Sequence, residues 1–311
     1  MTPRPHAVLG AAVAGVVLAV SATGCSWRAE TPPIERRTPS PEVVIRDQAA
    51  EREQSVIDAE PTGMLGEIQT LTAPERLAAL GGVYVATPGA SPSPSMPPAL
   101  DEAVRAAMVG ALADAAAAQP SDPALAALLR SIGLSHAVAL GAADAAGAGP
   151  AARIVPEETG LGTSLTPESG TAVAPATLAR LAVAHDRAAF VYQVAAARAE
   201  GDERLAALER SALHRERADA FATLPGVEDA RQELYDVPPA SVADAGARAS
   251  TERGVETSLG WNYAALLDGV ATPDSRWILN AAYDAYLQAA SLPGFLASDV
   301  PALPGIAVDG A

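Results

Sequence analysis

Five side chains in the second half of this 311-residue sequence could do chemistry together: His185, His214, Glu252, Glu256 and Asp284. Two histidines and a carboxylate are enough to hold a single zinc or iron ion. Glu252 and Glu256 are four residues apart, so on a helix they share one face, one turn from each other. Read without a metal, the same set is a buried hydrogen-bonded network. Arg187, Arg217 or Tyr263 would then satisfy the glutamates, because buried carboxylates persist only when paired. A third reading phases the helix differently and leaves these charges facing water. The ordinary di-iron carboxylate site is absent, since it draws on Glu-x-x-His pairs that set both ligands within one turn. The four histidines, His6, His136, His185 and His214, have Pro3, Gly133, Ala182 and Ser211 three places before them. No nucleophile elbow of the form Gly-x-Ser-x-Gly is present. No phosphate-binding Gly-x-x-x-x-Gly-Lys loop is present either, and no cofactor is implied. Asp101-Glu102 and Glu157-Glu158 read as solvated charges at helix ends or in loops.

Four consecutive amphipathic helices must position the five residues, and their apolar spacing predicts them over 176–199, 202–224, 241–270 and 275–292. On the first, Leu178, Leu181, His185, Ala188, Tyr192, Ala195 and Ala199 form one stripe and carry the histidine inward. On the third, the stripe is Val242, Ala245, Ala249, Glu252, Glu256, Leu259, Tyr263, Leu266 and Val270, with both carboxylates at its middle. On the fourth, Trp277, Ala281 and Asp284 share a face. Short connections between such helices predict an antiparallel bundle with a polar layer at mid-height. Upstream, helices are expected over 42–59, 65–80, 99–118 and 124–146, the last with Ser121-Asp122-Pro123 as its start signal.

Composition agrees with an all-α fold. Hydrophobic residues make up 49 % of the chain, much of it alanine, while aromatics are 4 %. Alanine is the best helix former, and the alternating β-branched and aromatic pattern of strands is nearly absent. The formal net charge is −16 and there is no lysine. Such a surface repels phosphate backbones, which excludes nucleic acid as a partner.

The N-terminus reads as an export signal. Arg4 and His6 precede an uncharged, mostly apolar run at 7–22, short of the ~20 apolar residues of a membrane span. Ala22-Thr23-Gly24-Cys25 resembles a bacterial lipobox, in which Cys25 becomes the lipidated first residue of the mature chain. Cys25 is the only cysteine, so no internal disulfide can form and thiol catalysis is excluded. A diacylglyceryl group carries two acyl chains, which suffice for stable anchoring. The predicted organisation is a lipoprotein signal peptide at 1–24 and a Pro-rich tether at 25–41. An N-terminal helical region follows at 42–147, with a flexible insert at 87–98, and then the helical bundle at 176–295.

Residues 185–193, His-Asp-Arg-Ala-Ala-Phe-Val-Tyr-Gln, with Ala196-Ala197-Arg198, resemble the first-helix motif of the actinobacterial ferritin-like DUF4439 family. The run His214-Arg215-Glu216-Arg217-Ala218-Asp219-Ala220-Phe221 is similar to its second helix. Tyr235-Asp236-Val237-Pro238, Glu252 and Leu292-Pro293-Gly294-Phe295 continue the likeness in order, and Glu30-Thr31-Pro32-Pro33 is similar to its lipoprotein members. Where the family carries glutamate followed by histidine on the first helix, this chain has His185 and Asp186. The resemblance implies a ferritin-like antiparallel four-helix bundle with additional N-terminal helices, and no established activity. Two functions remain open. One is a non-catalytic binding or structural lipoprotein of the cell envelope, lipid-anchored on the extracytoplasmic face, with a protein or small apolar ligand as partner. The other is a metal-dependent enzyme or metal-binding protein built on the five core residues.

Overall fold

The computed structural model describes residues 38–84, 97–148, 164–167 and 170–307. The export signal, Cys25, nearly all of the tether, most of the insert at 87–98 and Glu157-Glu158 lie outside the described residues. The chain divides into Met1–Pro39 and Ser40–Ala311, and everything below concerns the second unit.

The expected all-α class holds: among the described residues there are eight α-helices and no strand. They are α1 Pro41–Asp58, α2 Gly63–Ala79, α3 Leu100–Ala118, α4 Pro123–Ala148, α5 Pro175–Arg198, α6 Gly201–Ala222, α7 Ala245–Ala264 and α8 Thr272–Ser291. Their starts follow local chemistry. Proline stands in the first turn of α1, α5 and α8, where its missing N–H costs nothing. Asp122 caps α4 by accepting the Leu125 N–H at 2.9 Å, just before Pro123. Asp101 and Glu102 are exposed in the first turn of α3, as solvated helix-end charges should be.

The third helix of the sequence reading is shorter than expected. Val242 belongs to a separate 3₁₀ turn, Pro239–Val242. Asp244 then restarts the chain by accepting the Ala247 N–H at 2.8 Å. At the far end α7 tightens into a second 3₁₀ turn, Ala265–Leu267, before Gly269 at φ +78°. Ala245, beside the new start, is exposed, while Ala249, Glu252, Glu256, Leu259 and Tyr263 are buried as the spacing predicts.

Helix pairs α3–α4, α5–α6 and α7–α8 pack most closely, and α4 lies against α8. One apolar core runs through both halves of the unit, with Ile68, Val104, Met108, Leu134 and Val138 joined to Leu178, Phe221, Trp277 and Tyr283. The closing segment packs back onto α4, where the Ser135 and Ser131 hydroxyls donate to the Pro301 and Pro304 carbonyls, each at 2.8 Å. Gly305 lets the same segment lie against the end of α7: at φ +80°, a Cβ there would fall 2.2 Å from the Ala264 carbonyl carbon.

The running directions of α5 to α8 follow from which residues meet. His185 of α5 faces His214 of α6 and Tyr263 of α7, while Tyr192, two turns on, reaches Glu256. Hence α5 is antiparallel to both α6 and α7. Arg210 and Arg217 of α6 meet Asp284 of α8, and Phe221 meets Trp277, so α6 and α8 are antiparallel as well. Glu203 pairs with Arg248 and Arg210 with Glu256, so α6 and α7 run the same way. The expected up-and-down order with short loops therefore does not describe this step, because residues 223–244 carry the chain back along the helices before α7 begins.

Candidate functional site

The polar layer sits where α5, α6, α7 and α8 face one another. The second helix, whose inward stripe the sequence reading left unassigned, supplies most of it: Ala207, Arg210, Ser211, His214, Arg217, Ala218 and Phe221 are buried at spacings of three and four. Glu256 of α7 is fully buried at the centre. Arg210 grips it with two bonds, Nε to Oε1 at 2.6 Å and an Nη to Oε2 at 2.7 Å. The Tyr192 hydroxyl donates to Oε1 at 2.9 Å, and His214 Nε2 stands 3.0 Å from the same oxygen. Burial alone would raise the Glu256 carboxyl, but Arg210 and these hydrogen bonds outweigh it and hold the group at about 2. Arg210 continues to Asp284 at 2.9 Å, and Arg217 reaches the same Asp284 oxygen at 2.8 Å. The Nε and the other Nη of Arg217 are buried without a partner among the described groups.

Donor and acceptor roles along the histidines are forced. Burial lowers both pKa values, His185 well below the usual range, so both rings are neutral at pH 7. An ionised Glu256 can only accept, so His214 Nε2 carries a proton and its Nδ1 is bare. In the 2.9 Å contact between the two Nδ1 atoms His185 must then donate, which leaves His185 Nε2 to accept from the Tyr263 hydroxyl. The result is a one-way chain, Tyr263 to His185 to His214 to Glu256. Aromatic rings seal it: Phe221 stacks on His185 at 5.9 Å between centroids, and Trp277 presents its edge to Tyr263 at 6.2 Å.

Of the five candidate residues, the fold brings His185, His214 and Glu256 together and places Asp284 beyond Arg210. Glu252 is buried too, but it stands outside the network. It lies near the bidentate pair of Arg248 with Glu203, at 2.7 and 3.0 Å, and burial pushes its carboxyl up to about 7, with the charges of Glu203 and Glu256 adding to the rise. Two glutamates one turn apart thus hold opposite preferences for a proton. The expected arginine partners need correction. Arg187 points outward and is exposed, because it lies next to Ala188 on the outer flank of the α5 stripe. Arg217 serves Asp284 rather than either glutamate, and Tyr263 serves His185. The partner is Arg210, one turn before His214 on the same stripe.

Among the described residues no group of three or more His, Cys, Asp or Glu side chains is arranged to hold a metal ion. The donor set explains this. The facing Nδ1 atoms of the two histidines are spent on each other, and a guanidinium lies bidentate on the carboxylate where a cation would bind.

A second buried network lies among α1, α2 and α4. Glu53 accepts from Arg76 Nε at 3.0 Å and stands 2.5 Å from His136 Nε2. Arg76, itself fully buried, also donates to Thr72, Ser135 and Gln69. Burial opposes ionisation of Glu53, but His136 and Arg76 prevail and keep it at about 2.

An open groove lies elsewhere. Between α5, α7 and residues 236–241 lies a groove of about 560 Å³. Its floor is Val183, Ala184, Ala188, Val191, Val255 and Leu259, and Arg180, Arg187, Asp236 and Asn262 line it as well. Comparison with family models, with characterised proteins and with solved structures finds no match for this chain.

Proposed function

We propose that this protein is a membrane-anchored extracytoplasmic lipoprotein, a non-catalytic binding protein of the cell envelope held through Cys25. In this reading α5–α8 form a ferritin-like bundle without a di-iron site, related to the DUF4439 proteins that the sequence resembles. The topology supports it: two antiparallel hairpins joined by one long crossover is how ferritin-like bundles are connected. The observation that carries the function is the contrast between a closed core and an open groove. Glu256 spends both oxygens on Arg210, Tyr192 and His214, so the layer most suited to chemistry is filled by the protein's own groups. The groove over α5 and α7 has an apolar floor and falls within the ~300–1,000 Å³ of small-molecule sites.

The groove can be tested without knowing its natural occupant. Gly254 lines it, sits mid-helix with ordinary φ, and has nothing within 4 Å of where a Cβ would stand. Gly254→Leu therefore fills the groove without a clash and exchanges a poor helix former for a good one. The Ser40–Ala311 unit, which contains the entire described core, should bind the neutral dye Nile red saturably. Gly254→Leu should lose that binding and melt no lower than wild type. Absence of saturable dye binding to the wild type would remove the ligand-binding reading. For the anchor, Cys25→Ala should abolish acylation and leave the precursor unprocessed by the lipoprotein signal peptidase. Unchanged cleavage and membrane attachment would end the lipoprotein assignment.

A further inference from the structure

We infer that Arg248 is a latch with two positions, and that Glu252 decides between them. On Glu203 it ties α7 to the first turn of α6; on Glu252, along its own helix, it lets that turn go. The inference goes beyond the binding reading and does not depend on it. Two departures from the pattern of this core carry it. Of the four carboxylates buried among the described residues, Glu53, Asp274 and Glu256 each accept hydrogen bonds. Glu252 accepts none there, and only burial and neighbouring charges act on it. Its neighbour is as unusual. Arg76 and Arg210 are buried and hold carboxylates that are themselves buried, Glu53 and Glu256. Arg248 is buried too, yet it bonds Glu203, whose side chain is 42 % exposed. A buried guanidinium thus serves a surface acid while a buried acid one turn away goes without.

Arg248 and Glu252 are four residues apart on α7, so the guanidinium has the reach to change partners. The charges acting on Glu252 are Glu203 from α6 and Arg248 and Glu256 from its own helix. From α5 comes Tyr192, whose hydroxyl is spent on Glu256. Arg210 of α6 is held by Glu256 and Asp284, and Asp284 of α8 also takes Arg217. Of these cations only Arg248 has a partner that water can replace. While Glu252 is neutral, Arg248 stays on Glu203 with two bonds, at 2.7 and 3.0 Å. An ionised Glu252 is a buried charge without a donor, and turning Arg248 onto it is the nearest relief. Glu203 loses little, because its carboxylate is already at the surface. The exchange offsets only part of the burial cost, so the ionised form remains the less stable one. Burial, with the charges of Glu203 and Glu256, pushes the Glu252 carboxyl up to about 7, so the two positions exchange in the neutral range.

Hydrogen exchange of the Ser40–Ala311 unit, followed by mass spectrometry and corrected for intrinsic rates, reads the latch in the first two turns of α6. Protection there should fall about fivefold between about pH 6 and pH 8, with its midpoint near 7, while the amides of α4 keep theirs. Glu252→Gln should stay protected across the range, and Glu203→Gln should be unprotected across it, so that neither variant shows the step. Both replace a carboxylate by an amide of the same shape. No step in the wild type, or a step that survives either substitution, overturns the latch. An equal loss in α4 overturns it as well, since the pH effect would then be a loss of stability of the whole unit.

Discussion

Replacing Arg210 with methionine tests the polar layer most directly. The guanidinium is 4 % exposed and holds both oxygens of Glu256 and one of Asp284. Methionine retains an unbranched stem and removes the charge and every donor. Glu256, fully buried, would be left with Tyr192 and His214 alone. Breaking a buried pair from one side costs about 3–5 kcal/mol, because the surviving charge is uncompensated. The depressed carboxyl of Glu256 gives a second figure of the same order. Its carboxyl stands at about 2 against an ordinary 4.5, a difference equivalent to roughly 3 kcal/mol.

The sign of the pH dependence follows. A carboxyl depressed in the folded state contributes stability that is complete above pH 4.5 and lost as the pH falls towards 2. Without Arg210, burial of Glu256 is opposed only by the bonds from Tyr192 and His214 and its folded pKa rises, so the variant suffers most at neutral pH. The stability gap to wild type should therefore be widest near pH 7.5 and close steadily below pH 4.5. Urea denaturation followed by circular dichroism at three pH values measures it. At about 2–4 °C per kcal/mol for a unit of this size, the melting temperature should fall by roughly 6–20 °C at neutral pH. Adding Glu256→Gln should recover much of the loss, since a neutral amide can stay bonded to Tyr192 and His214. A single variant within about 1 kcal/mol of wild type at pH 7.5, or a gap that does not change with pH, would refute the account of the layer.

Glu252→Gln should behave in the opposite way. A carboxyl raised to about 7 favours the folded state at low pH and works against it once ionised, so stability is lost as pH rises from 4.5 through 7. After allowance for solvent screening, the variant should be about 1 kcal/mol more stable than wild type at pH 8 and equal to it at pH 4.5; a loss at pH 8 would mean that an ion pair to Glu252 outweighs its burial. The tautomers can be read by nitrogen-15 NMR of labelled histidine. His185 should carry its proton on Nδ1 and His214 on Nε2, both neutral at pH 7, and any other pattern breaks the chain from Tyr263 to Glu256.

Local patterns made the helices legible. Alanine-rich stripes at spacings of three and four, with proline or aspartate at the starts, are signals that tertiary packing had no reason to override. Asp244 is the instructive exception. The stretch around it is apolar and alanine-rich enough to continue a helix, and only the side-chain bond to Ala247 shows that it restarts one instead. The inward placement of His185, Glu252, Glu256 and Tyr263 was also legible, since position on a stripe decides it. What each would touch was not. Glu252 and Glu256 have the same local spacing, and they differ because Arg210 stands opposite one and not the other. Arg210 and Arg217 could have been found by extending the stripe through His214 in both directions. The Glu53–Arg76–His136 network could not, because its members come from three helices and no period links them.

Both networks answer a weakness of this composition. Helices faced with alanine pack closely, but one alanine turn looks much like the next, so a slide of about 5.4 Å along the axis loses little apolar contact. The long polar side chains make such slides costly. Moving α7 by one turn against α6 takes Glu256 away from Arg210 and His214 together and buries a carboxylate without a donor. Moving α1 against α2 does the same to Glu53. Gly260 adds a steric stop, because a Cβ there would lie 2.8 Å from the Tyr286 ring that closes over it. A few satisfied charges and one aromatic contact thus fix a register that alanine leaves open, and with it the line of Arg180, Arg187 and Gly254 along the groove. On this argument the core that looks most like a catalytic centre sets the geometry of the groove that we propose as the binding surface.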